Sequence, residues 1–383
     1  MSQNLYIPGL NGIRFCAAFF VIVSHIEHFR DMHNLSHIHE FIGSFADLGV
    51  EIFFTLSGFL ITFLLFKEYE TTKTVSIRNF YMRRILRIWP LYFLVLVIGL
   101  FILPTFFTQN SVNNSAPILI LYVFFLPHLA KVLYVLNYSL AVLWSIGVEE
   151  NFYILFPWFF RKKRRHIFRA LIIAIIGFLC IKFVVSYAAF QDIPLKEYVV
   201  LLFKFLLHLK FECMLVGAIG AYLVFSKNDF IRYFHKTYVF SGALFLLLFL
   251  QFIHVHQIIN LLHLDPIFAT VFTPFIHSVF TLIIIVYATQ ENRVKDFLEH
   301  PTLYFLGKIS YGLYVFHPIL LILLYTLPFY SLSHNWFLQY VIIIGGTIVI
   351  SSLSYTYYEK WFLKRKTSFS TILSGDSARK QKL

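Results

Sequence analysis

Apolar runs of about 20 residues, the length at which an α-helix crosses a hydrocarbon core, follow one another along almost the whole chain. Ten can be delimited, at 10–29, 46–66, 88–108, 140–160, 168–190, 198–225, 237–256, 266–289, 303–326 and 336–358. In lipid every backbone N–H and C=O must be satisfied inside its own segment, so such runs fold as helices. With 59% hydrophobic residues, 13% charged and a mean hydropathy of +0.74, a soluble globular domain is excluded. The expected fold class is therefore all-α: a polytopic membrane helix bundle of about ten transmembrane helices. The stretch 116–130 is also apolar, but it is short and holds Pro117 and Pro127, and it reads as an interfacial or re-entrant piece.

The net charge of +13 would suggest nucleic acid as partner of a soluble protein, but here the charge sits in short loops between apolar runs. On alternate loops of the ten-span arrangement fall 24 basic residues, among them Arg161–Arg165, against three on the opposite side, Arg30, Lys131 and Lys196. The positive-inside rule then puts both termini in the cytoplasm and makes the bilayer, not nucleic acid, the partner. An eleventh span at 116–130 would throw the Arg161–Arg165 cluster outside. Cys16, Cys180 and Cys213 each lie in an apolar run without paired spacing, so neither disulfides nor zinc are expected. The first run lacks a small-residue cleavage site after it and reads as a retained span. Residues 1–362 form one membrane domain in this reading, and 363–383 a basic, disordered cytoplasmic tail.

Ionisable groups inside such runs mark function by default, because each costs roughly 2.5–3.5 kcal/mol at mid-bilayer. Glu149 and Glu150 stand side by side in LWSIGVEENFYILFP; on a helix they point about 100° apart, and Glu149 shares its face with Ser145, Phe152 and Tyr153. Arg14 and His25 are eleven residues apart, within roughly 20° of three full turns, so both line one face of the first helix about 16 Å apart. His25 and Glu149 fall at similar depths, and their contact is the hypothesis for a base dyad: the carboxylate fixes the imidazole tautomer and raises its basicity. Arg84 and Arg87, one turn apart in RNFYMRRILRIWPLY before Pro90, suit capture of phosphate and equally suit anionic lipid. Ser57 and Gly58 allow close helix approach or a ligand seat, while Lys210 and His317 line a cavity or satisfy other helices. His28, His33, His37 and His39 form an outer-loop cluster better read as solvated than as a metal site.

These motifs, taken together and in order, resemble the acyltransferase-3 family of integral membrane acyltransferases, which is similar to bacterial enzymes that O-acetylate surface polysaccharides. The matching pieces are LNGIRFCAAFFVIVSH, GVEIFFTLSGF, FYMRRILRIWPLY, LWSIGVEENFY, LGKISYGLYVFHP and YYEKW. Asn11 and Glu51 stand where the family pattern has aspartate, and Trp361 where a proline follows Glu-Lys. The resemblance implies transfer of an acyl group, most often acetyl, from cytoplasmic acetyl-CoA to a hydroxyl of an outer glycan such as lipopolysaccharide O-antigen or exopolysaccharide, in the cell (inner) membrane. It implies His25 and Glu149 as catalytic, and Arg14, Arg84 and Arg87 as holding the acyl-CoA. A non-enzymatic transporter or flippase, and an acyltransferase acting on a lipid or small metabolite, are the competing readings. Oligomeric state is not legible in the sequence.

Overall fold

The computed structural model describes residues 3–36, 40–106, 115–134, 138–255, 266–326, 332 and 334–374. The chain is a helical membrane bundle. After a short strand β1 (Gln3–Leu5) come α1 (Leu10–Met32), α2 (Phe45–Thr72), α3 (Ile77–Val97, continued as a π turn through Ile102) and α4 (Leu143–Lys163). Next are α5 (Ile167–Ala189), α6 (Lys196–Leu209), α7 (Phe211–Phe225), α8 (Thr237–Val255) and α9 (Pro266–Ala288). The chain closes with α10 (Pro301–Lys308), α11 (Ser310–Thr326), α12 (Trp336–Ser354), α13 (Lys360–Lys366) and strand β2 (Ile372–Ser374). The piece 116–130 is not a span: it is two short helices, Ala116–Val123 and Pro127–Leu133, each opened by its proline.

Among the described residues six helices are long and apolar enough to cross a membrane, and eight if two bent pairs each count as one span. The other two of the ten expected runs differ for identifiable reasons. The run at 140–160 forms α4, a 21-residue helix whose two glutamates and basic end lower its apolarity. The run at 198–225 is cut at Lys210, whose φ of 39° leaves α6 and α7 with 14 and 15 residues, each short of a full crossing. The third helix also begins earlier than the apolar run. Ser76 caps it by accepting from the Asn79 amide at 3.3 Å, and the helix continues straight through Pro90, so Arg83, Arg84 and Arg87 are helical.

Helix α2 is the central post, packed against α1 on one side and α7 on the other. The α2–α7 contact is backbone on backbone. A Cβ added at Gly58 would stand 1.9 Å from the Met214 carbonyl oxygen, and one at Gly217 2.1 Å from that of Thr55. Gly58→Ala is therefore expected to push the two helices apart and destabilise the protein by about 1–3 kcal/mol, read as an earlier thermal transition in detergent. A Gly58→Ala protein that melts with the wild type would show that the contact yields without cost.

The expected disordered tail is instead structured as far as residue 374. Strand β2 pairs in parallel with β1, Gln3 opposite Ile372 and Leu5 opposite Ser374. Arg83 binds the Phe369 carbonyl at 2.8 Å, and Tyr358 Oη donates to the Pro90 carbonyl at 3.1 Å. Basic composition suggested disorder there, but backbone pairing with the N-terminal strand supplies what the side chains lack.

Candidate functional site

A cavity of about 610 Å³ opens between α1, α2, α3, α4, α11 and the C-terminal segment. Each wall contributes by helical spacing. Ser145, Glu149 and Tyr153 recur every four residues on α4, so one face of that helix looks into the cavity. Arg84 and Arg87 lie one turn apart on α3, and Arg14 enters from α1. Three residues that the sequence singled out as anion-binding are thus brought to one place.

The electrostatics of that place are unusual. Arg83 is neutralised by Glu68 at 2.7 Å, yet no carboxylate lies within ion-pair distance of Arg14, Arg84 or Arg87 among the described residues. Arg14 bonds only weakly, at 3.4 Å, to Asn11 Oδ1. The Arg84 guanidinium lies over the rings of Phe80 and Tyr153, 5.7 and 5.5 Å from their centroids, and its Nε is buried without a hydrogen-bond partner among the described residues. Buried donors are normally satisfied, so an orphaned guanidinium N–H beside two further arginines is a site made for an anion. The residues present suit a ligand that carries several negative charges.

Glu149 lies on the same cavity, close to Ser57 and Tyr153 and within the electrostatic reach of Arg87, Arg84 and Arg14. Ser57 Oγ and Tyr153 Oη also bond one another. Glu150, on the other flank of the helix, accepts from Trp89 Nε1 at 3.1 Å and is buried. The two acids have different surroundings, as their 100° separation implies.

His25 does not reach Glu149. No hydrogen bond or ion pair joins them; the partner of His25 is His317, with Nδ1 of His25 2.8 Å from Nε2 of His317. The tautomers follow from the next link. His317 Nδ1 faces the Leu313 carbonyl at 3.1 Å, and a carbonyl only accepts, so that nitrogen carries the proton. In neutral rings His317 Nε2 is then the acceptor, His25 Nδ1 the donor, and His25 Nε2 is left unprotonated as a base. His317 is fully buried, and its ring is 6.2 Å from that of Tyr314, which lines the cavity and bonds Ser145 at 2.7 Å. The histidine pair thus stands behind one cavity wall. On its other side are Tyr138, whose ring centroid is 5.9 Å from that of His25, and the charges of Lys131 and Asp47.

Lys210 does not line this cavity: it donates to Asp47 at 2.8 Å and Glu51 at 2.9 Å, and Glu51 also bonds His277 Nδ1 at 2.7 Å. The longer acid at position 51 spans two partners, Lys210 at the break between α6 and α7 and His277 on α9. Among the described residues no cluster of His, Cys, Asp or Glu is arranged to hold a metal, and His37 and His39 lie outside those residues. Sequence reasoning missed Tyr314 and the lysines of α13. The four-residue spacing of Lys360 and Lys364 was the available signal for a helix, hidden by treating the tail as disordered.

A model of the acyltransferase-3 family, described as an acyltransferase domain, matches residues 7–356. The chain belongs to the acyltransferase-3 family. It is 29% identical over 387 residues to a Staphylococcus aureus (strain COL) protein provisionally named an O-acetyltransferase, covering 94% of this chain and 58% of that protein. It is 26% identical to the O-acetyltransferase OatA of S. aureus (strain NCTC 8325), covering 94% and 57%. The chain therefore spans somewhat under three fifths of the length of these curated relatives. No solved structure matches it significantly.

Proposed function

We propose that this acyltransferase-3 protein moves an acyl group, in the first instance acetyl, from a cytoplasmic acyl-CoA to a hydroxyl of a cell-surface glycan, working in the cell (inner) membrane with both termini cytoplasmic. One observation carries the reading: a single cavity presents three arginines without ion-pair partners among the described residues, and a histidine with one basic nitrogen left unprotonated stands behind its wall. Family membership and two relatives named O-acetyltransferases support the chemistry.

Arg14, Arg84 and Arg87 hold the donor's phosphates, and the acyl thioester extends along the shared face of α1 toward His25. His25 Nε2 takes the proton of the acceptor hydroxyl as its oxygen attacks the thioester carbonyl. His317 keeps His25 in the required tautomer and, once His25 is protonated, accepts a charge-assisted hydrogen bond from its Nδ1–H. The C–S bond breaks, and the proton on His25 returns to the departing thiolate. Glu149 balances the arginine charge and positions Ser57 and Tyr153; it is not the partner of the base.

Membranes containing the protein and its glycan are expected to release free thiol from acetyl-CoA, and cells lacking it to lose the acyl mass from their surface glycan. In purified protein, Arg84→Ala and Arg87→Ala are each expected to weaken CoA binding about tenfold or more, the range of a charged hydrogen bond. Binding that survives both substitutions would return these arginines to a lipid-facing role. Translocation of a substrate with no thiol release would favour the transporter reading.

A further inference from the structure

The anion site described above is not closed by the family-matched region alone. Part of the cavity wall comes from residues beyond 356: Lys360, Lys364 and Lys366 of α13, then Thr371 before β2. This segment is anchored on α3 through Arg83, which bonds both Glu68 and the Phe369 carbonyl, and on the N-terminus through the β1–β2 pair.

The anchoring carries Lys366 into the arginine cluster. Lys366 is half-buried, and its charge lies in the electrostatic field of Arg87, Arg84, Arg14 and Arg83. No carboxylate is within ion-pair distance of Lys366 among the described residues. Around the cavity eight basic side chains face three acidic ones. Like charges gathered away from bulk water repel strongly, and a solvated basic tail would relieve that by swinging free. Two strands and an arginine fork hold it in place instead. Thr371 Oγ1 is buried there without a partner among the described residues, as is Arg84 Nε, so two hydrogen-bonding groups, one on the C-terminal segment and one on α3, lack protein partners.

We propose that Lys366, together with Thr371, completes a polyphosphate-binding site with Arg14, Arg84 and Arg87, and that the C-terminal segment is the wall that holds the phosphates of the acyl donor. A ligand with several phosphate charges matches four converging cations; a single carboxylate does not. The donor identity rests on the proposed function, whereas the anion site does not.

The test uses the full chain purified in neutral detergent, with CoA and inorganic pyrophosphate as probes, on wild type, Lys366→Gln and Lys366→Arg. The expected result is roughly tenfold weaker binding of both probes to Lys366→Gln, with affinity restored in Lys366→Arg. Equal affinity in wild type and Lys366→Gln overturns the proposal and leaves the donor reading standing. Lys366-dependent binding of pyrophosphate without binding of CoA keeps the site and removes the donor reading. Binding of neither probe by the wild type overturns the site. Displacement of pyrophosphate by phosphatidylglycerol nanodiscs but not by CoA also overturns it, because the phosphate then belongs to lipid headgroups.

Discussion

Alanine at position 25 is expected to lower acyl transfer by about 10²- to 10⁴-fold, the usual loss with a general base, while leaving insertion and CoA affinity unchanged. The separation is structural. His25 is bonded to His317 and does not line the cavity, so its removal deletes the proposed base without touching the arginines proposed to hold the donor. His317→Ala is expected to give a smaller fall in kcat at constant donor affinity, because it leaves the base in place but releases its tautomer. Glu149→Gln separates the two accounts of the site. A His25–Glu149 dyad demands that its loss resemble His25→Ala, whereas a place beside Ser57, Tyr153 and the charge of Arg14 predicts a change in donor binding. Steady-state kinetics beside equilibrium CoA binding, at matched protein abundance, checks all three. Normal turnover in His25→Ala would remove the histidine pair from the mechanism.

What could be read from sequence was whatever depends on periodicity within one helix. The shared face of Ser145, Glu149 and Tyr153, the pairing of Arg84 with Arg87, and the membrane character of the bundle all follow from 3.6 residues per turn and the length of apolar runs. Contacts between helices did not follow. Depth along the membrane normal made Glu149 a plausible partner for His25, but many residues share a depth, and lateral order in the bundle gave the place to His317, 292 residues away along the chain. The break at Lys210 was hidden for a related reason: apolar content runs on through it, and the bend is held by charges on α2. The tail was misread because its composition carries no sign of the strand it pairs with at the other end of the chain.

The largest effect on stability is expected from Lys182→Met. Lys182 of α5 and Glu212 of α7 meet at 2.7 Å with both side chains fully buried, so neither charge has water to fall back on. Removing one partner of such a pair typically costs about 3–5 kcal/mol, since the other is left uncompensated. Two local facts set where in that range the loss falls. Glu212 Oε2 already lacks a hydrogen-bond partner among the described residues, so the carboxylate depends heavily on Lys182. Yet Glu212 lies in the first turn of α7, created by the break at Lys210, where free amide N–H groups favour negative charge by up to about 2 kcal/mol. The expected loss is therefore near the lower bound, about 3 kcal/mol, read by denaturation in detergent. Adding Glu212→Gln should return most of it, because the double variant buries no net charge. The same pair of variants separates fold from chemistry. Helix α7 packs on α2 beside Ser57, so any activity lost in Lys182→Met comes from a loosened cavity wall and returns in the double variant, whereas activity lost with His25 does not return with stability.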